Sequence, residues 1–164
     1  NLLHRKGGIY LNYESLLIEA ENEGLNVKEK PLKYNDGRIK GNRVAIRKDL
    51  ANSVEKGCTL AEELGHHHTS YGNILDLNST SNRKQELRAR VWAYDKLINL
   101  QGFIDAFEHH CTNLYETAEF LDVTEEFLVD SINAYMHKYG CYIKYKNYVI
   151  EFGFNSVNVI KQYN

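Results

Sequence analysis

The residues best suited to chemistry lie in one short stretch, Leu60-Ala-Glu62-Glu63-Leu-Gly-His66-His67-His68. Glu62 and His66 are four apart, so on a helix both side chains leave the same face and can converge on one ion, with Glu63 beside them. This is the frame of the zinc-peptidase helix H-E-x-x-H with glutamate in place of the first histidine, E-E-x-x-H. In such a site zinc lowers the pKa of a bound water to ~7, and the carboxylate after the first ligand takes its proton, which assigns Glu63 as general base. A catalytic zinc takes three protein ligands and keeps an open position. Glu86, on the next helix in Arg83-Lys-Gln-Glu86-Leu-Arg-Ala89-Arg90-Val-Trp92-Ala93, is expected to be the third, brought to the Glu62/His66 face by antiparallel pairing of the two helices. A Glu/His/Glu set is harder than His/His/Glu and admits Mn2+ or Fe2+ beside Zn2+.

The neighbouring candidates rank lower. Consecutive helical residues point about 100° apart, so His66, His67 and His68 cannot all face one ion; only His66 has the right offset, and His68 is an alternative if the helix ends early. Asp76 is an alternative ligand or acceptor, although an aspartate after Gly72-Asn73 is ordinarily a turn residue. Tyr71 is a candidate to support an oxyanion. His109-His110-Cys111 lacks a partner pair at a recognised spacing and reads as a helix end, where cations are favoured.

The elements that must position these groups follow from periodicity. Tyr13 to Glu23 has helical spacing and stops at Gly24. Leu25 to Val27 and Gly41 to Ile46 alternate as strands around the turn Asn35-Asp-Gly37, which predicts a small antiparallel sheet. Val54, Cys58, Ala61, Leu64 and Gly65 make Ser53 to Ser70 an amphipathic helix, and Leu87, Val91, Tyr94 and Ile98 do the same for Arg83 to Leu100. Asn113 to Leu121, the bend at Asp122-Val123 and Thr124 to Tyr135 form a helix-turn-helix, with Thr124 as N-cap. Cys141 to Tyr145 and Tyr148 to Phe152 flank Lys146-Asn147 as a terminal hairpin.

At this level the sequence resembles the ImmA/IrrE family of metallopeptidases, in particular the ImmA-like proteins of phages and integrative elements. In that family H-E-L-G-H is followed by E-x-x-A-N-x-F-A, whose glutamate completes the metal site. Glu62-Glu63-Leu64-Gly65-His66 corresponds to the first, and Glu86-Leu-Arg-Ala89-Arg90-Val-Trp92-Ala93 to the second, with Arg90 in the place of an asparagine near the metal. The likeness runs from about Tyr13 to Phe154 and includes Tyr71-Gly-Asn-Ile-Leu-Asp76. It implies an α+β fold: a small N-terminal antiparallel sheet packed on zincin-like helices, then a helix-turn-helix-like helical unit and a C-terminal β-hairpin. The expected division is 1–12 as leader or extension, 13–100 as the metallopeptidase-like domain, 101–139 as the helical unit and 140–164 as hairpin and tail. The resemblance implies a zinc-dependent endopeptidase that cleaves a repressor-type transcription factor of a phage or other mobile element. The alternative is a peptidase fold without catalysis that binds a transcription factor.

Composition is compatible with both. The 164 residues suffice for a core without disulfides, and three cysteines without a C-x-x-C pair read as free thiols in a reducing, cytoplasmic setting. No apolar run approaches the ~18 residues of a membrane span. The net charge of −2 gives no overall attraction to nucleic acid, so such a partner needs a local patch. From Thr112 to His137 there are six acidic residues and no Lys or Arg, the wrong sign for phosphate. Direct DNA binding by that unit is not expected; docking of a basic protein is.

Overall fold

The computed structural model describes residues 4–5, 8–9, 11–70 and 79–163, with side chains for 11–70 and 81–163. It is α+β, in two compact units, Leu11–Lys96 and Leu97–Asn164, the latter counted together with Asn1–Tyr10. Within those first residues a two-residue ladder, β1 (His4–Arg5) with β2 (Gly8–Ile9), is antiparallel.

The first unit contains α1 (Tyr13–Asn22), β3 (Asn26–Lys30), β4 (Gly37–Lys40), β5 (Arg43–Arg47), α2 (Ser53–Thr69) and α3 (Ser79–Leu97). Asn12 caps α1: its Oδ1 accepts from the Ser15 N–H at 2.9 Å, and the Ser15 hydroxyl accepts from the Asn12 N–H in return. Asn52 caps α2, its Oδ1 accepting from the Glu55 N–H at 2.9 Å. The sheet order is β3-β5-β4. The expected antiparallel pairing holds for β4 with β5, but β3 runs parallel to β5. The reason is that the hairpin partner of β5 is not the Leu25–Val27 strand but the Gly37–Lys40 segment: the chain passes from β3 to the far edge before returning through the middle. Val44 and Ile46 of β5 are buried, with Leu16, Ala20, Leu60 and Leu64, between the sheet and helices α1 and α2.

Helix α2 meets α3 at residues 65–68. A Cβ placed on Gly65 would lie 2.2 Å from the Ala89 carbonyl oxygen, so only glycine permits the two backbones to approach this closely. Beside this approach, His66 meets Glu86 and His68 stacks on Trp92.

The second unit holds α4 (Asn99–Glu108), α5 (Leu114–Leu121), α6 (Glu125–Tyr139), β6 (Tyr142–Tyr145), β7 (Tyr148–Gly153) and β8 (Ser156–Lys161). The expected helix ending at Leu100 in fact ends at Leu97, and Asn99 at φ 49° turns the chain into α4, which periodicity did not separate. Asp122 at φ 57° makes the helix-turn-helix bend, and the Thr124 hydroxyl accepts from the Phe127 N–H at 3.1 Å. Glu125, Glu126 and Asp130 are exposed, as the pattern required. The terminal hairpin is a three-stranded antiparallel sheet, β6-β7-β8, because Asn155 at φ 50° reverses the chain once more and Val157 and Val159 continue the alternation. Phe103 packs edge-on against Tyr135 and Phe152 at the centre of this unit.

Gly65→Ala is expected to lower stability by about 1–3 kcal/mol despite a helix-propensity gain of about 1 kcal/mol, because the methyl meets backbone, which cannot swing aside. Thermal denaturation followed by circular dichroism checks this. An unchanged or raised midpoint would mean that the α2–α3 crossing is looser than described.

Candidate active site

The cleft between β4 and α2 has a volume of about 530 Å3, and Gly37, Arg38, Ile39 and Lys40 face Glu63, His66 and His67 across it. Its floor is built by an unusually close approach. A Cβ on Gly37 would lie 2.6 Å from Glu63 Oε1 and 2.8 Å from Thr59 Cγ2, so the strand rests on the helix only where it has no side chain. The next outward N–H, that of Ile39, donates to the Glu63 carboxylate.

Glu63 is 9 % exposed, and this burial decides its chemistry. Removal from water, then the charges of Glu62 and Glu86, push its carboxyl up from 4.5 to about 7, against a smaller opposing pull from the Ile39 N–H. A carboxyl balanced near neutrality can both take and return a proton, which is the property wanted of a general base.

His66 points from α2 towards α3, and its Nε2 lies 3.3 Å from Glu86 Oε2. Two donors of one tetrahedral zinc with bonds of ~2.0–2.1 Å are separated by roughly this distance. The Glu86 carboxylate is also held by Arg90, one turn along α3, with Nε 3.4 Å from Oε1. Glu62 is half-buried and near enough to raise Glu63 electrostatically. Of the expected ligands, then, His66 and Glu86 meet. Among the described residues, however, no three His, Cys, Asp or Glu side chains converge as a ready-made ligand set. The donor chemistry nonetheless suits a divalent ion: three carboxylates and an imidazole share one region, and a cation there would relieve the mutual repulsion felt by Glu63.

His68, the alternative ligand expected if the helix ended early, engages other partners. Helix α2 continues through Thr69, which carries His68 round to the α1 side, where its Nε2 is 3.0 Å from Glu23 Oε2 and its ring stacks on Trp92 at 4.6 Å. His67 also approaches Glu23, at 3.7 Å. Tyr71 and Asp76 lie outside the described residues. The part played by β4 is not visible in the sequence, where Gly37 reads as the end of a turn and the expected strand begins only at Gly41. The Asn35-Asp-Gly37 signal marked the glycine, but not the helix beneath it.

The chain matches the peptidase M78 family, described as the IrrE N-terminal-like domain, over residues 8–133, and it belongs to that family. The family is one of zincin-like metallopeptidases, in agreement with a buried acid placed beside a His/Glu pair. Comparison with curated proteins and with solved structures returns no match. No helix among the described residues is long and apolar enough to cross a membrane.

The raised pKa has a thermodynamic consequence. In metal-free protein the folded state holds a proton on Glu63 between pH 4.5 and about 7 that the unfolded chain has released, so stability falls as pH rises through that window. The effect is on the order of 3 kcal/mol at most. Metal-free Glu63→Gln, which keeps an acceptor for Ile39 but cannot ionise, should therefore exceed wild type in stability at pH 8 and match it at pH 4. Denaturant titrations at the two pH values measure this. A wild-type-to-variant difference independent of pH would mean that Glu63 is not a desolvated acid.

Proposed function

We propose that the chain is a metal-dependent endopeptidase in which Glu63 is the general base and His66, Glu86 and Glu62 hold the ion, Zn2+ being the first choice and Mn2+ or Fe2+ the alternatives. The observation that carries this reading is the 3.3 Å separation of His66 Nε2 and Glu86 Oε2 beside a buried carboxyl that titrates near neutrality. Glu62 would join the pair by a side-chain rotation, since it is one helical turn before His66 on the same face. When bound, the ion supplies a Lewis acid for the scissile carbonyl and acidifies a water. Glu63 accepts the proton of that water and returns it to the leaving amine. The outer edge of β4 can align an extended substrate by main-chain hydrogen bonds, as in strand addition, and the covered cleft floor limits the solvent around Glu63. By the resemblance of its motifs, the substrate is a repressor-type transcription factor of a mobile element, cut to release repressed genes.

One observation favours a second reading, a peptidase fold that binds a transcription factor without cutting it: Arg90 engages one oxygen of Glu86 and sets a positive charge beside the carboxylate that the ion would need. The two readings separate in one set of measurements on untagged protein. The endopeptidase reading expects one tightly held zinc per chain by elemental analysis and cleavage of a mixed peptide library. Glu63→Gln should retain the zinc and lose cleavage by about 10²–10⁴-fold, His66→Ala should lose both, and Glu62→His should raise zinc affinity. Wild-type cleavage rates in Glu63→Gln would reject the base, and zinc affinity unaffected by Glu62→His would remove that residue from the ligand set. Wild type that holds no tightly bound zinc and cleaves nothing is the result expected of the regulator.

A further inference from the structure

The sheet of the first unit has two faces of opposite character. One buries Val44 and Ile46. The other carries five exposed cations, Lys28 and Lys30 from β3, Arg38 and Lys40 from β4 and Arg43 from β5, which line a single shallow concavity of about 400 Å3. Strand register sets them in rows: Lys28, Ala45 and Arg38 lie across the sheet from one another, and Asn26, Arg43 and Lys40 form the next row. No carboxylate lines the concavity. Among the described residues none of these five cations is ion-paired, whereas Arg47, at the end of the same face, is held by Asp36 at 2.9 Å and Asp49 at 3.4 Å. In a chain of net charge −2 this is a concentrated local field, and like charges on neighbouring strands repel.

We propose that this face docks an acidic segment of the polypeptide that enters the cleft. The inference rests on the peptidase reading of that cleft and adds a substrate class to it. Arg38 and Lys40 line both the concavity and the cleft that contains Glu63 and His66, so the basic surface is continuous over strand β4 with the site. A chain lying in the cleft has its neighbouring residues at β4, within reach of the cations. Glu62, Glu63 and Glu86 repel acidic side chains from the scissile bond itself, which places the acidic segment some residues to one side. Nucleic acid fits less well. The face offers no aromatic side chain for base stacking, and three strands span only about 10 Å, the width of one extended chain and not of a duplex.

The test uses full-length Glu63→Gln protein and fluorescence anisotropy, with a labelled peptide alternating Glu and Ser, its Gln/Ser counterpart, and single- and double-stranded DNA oligonucleotides as probes. The Glu/Ser peptide should bind about 10-fold or more tighter than the Gln/Ser peptide at low salt and lose the advantage near 0.5 M NaCl. Charge reversal by Lys28→Glu with Arg43→Glu should abolish that preference, and Lys28→Gln with Arg43→Gln should weaken it if the reversed variant does not fold. Equal binding of both peptides, a preference insensitive to these substitutions, or displacement of the acidic peptide by DNA at about 10-fold lower concentration would each overturn the proposal. Zinc-loaded wild type incubated with a mixed peptide library should yield products enriched in Asp and Glu on one side of the cut. Cleavage without such enrichment overturns the docking role. Acid-selective binding without any cleavage overturns the peptidase reading alone, and the face then stands as the acid-binding surface of a regulator.

Discussion

The burial of one carboxyl group beneath one strand organises the first unit. Glu63 lies on the side of α2 that packs against β4, and an acid in that position demands a close-fitting cover and a hydrogen-bond donor. Gly37 supplies the first by having no side chain and Ile39 the second through its N–H. Holding an acid out of water opposes folding wherever it is ionised. The apolar packing of Leu60, Leu64, Val44 and Ile46 around it offsets that cost, and the result is a proton acceptor adjusted to neutral pH.

A second constraint fixes what lies beside Glu63. The crossing at Gly65 and Ala89 brings Glu86 to His66, and a chain of polar contacts holds the helices in place around it. Glu23 at the end of α1 engages His68, His68 stacks on Trp92, and Lys96, one turn further along α3, reaches Glu19 at 2.6 Å. These contacts tie His68 to α1, whereas His67 both approaches Glu23 and lines the cleft, and His66 is the histidine of the triplet that meets Glu86. The triplet thus divides among different neighbours according to the 100° turn between successive helical residues.

Much of the site was legible in the sequence because it depends on spacing within helices. Four residues separate Glu62 from His66, and Glu86 belongs to a helix that follows within a short interval. The cap Thr124 and the bend at Asp122 were equally local. What escaped was set by contacts distant in sequence. The parallel pairing of β3 with β5 depends on the path between them, not on the alternation of either strand. Strand β8 follows a turn with Asn155 in the left-handed region, which lacks the glycine that usually announces one. The break between α3 and α4 lies at Asn99 and not at a proline or glycine, so periodicity ran through it. The cover provided by Gly37 and Ile39 appears only when strand and helix are brought together.

On the peptidase reading, one divalent ion belongs between His66 and Glu86, in front of Glu63. Anomalous diffraction at the zinc edge from crystals of the zinc-loaded, untagged chain tests it most directly. The account predicts a single strong peak about 2.0–2.2 Å from both His66 Nε2 and a Glu86 oxygen, with Glu62 turned towards it and Arg90 withdrawn from Glu86. A peak instead at Glu23, His67 and His68, with His66 and Glu86 still in direct contact, would contradict it.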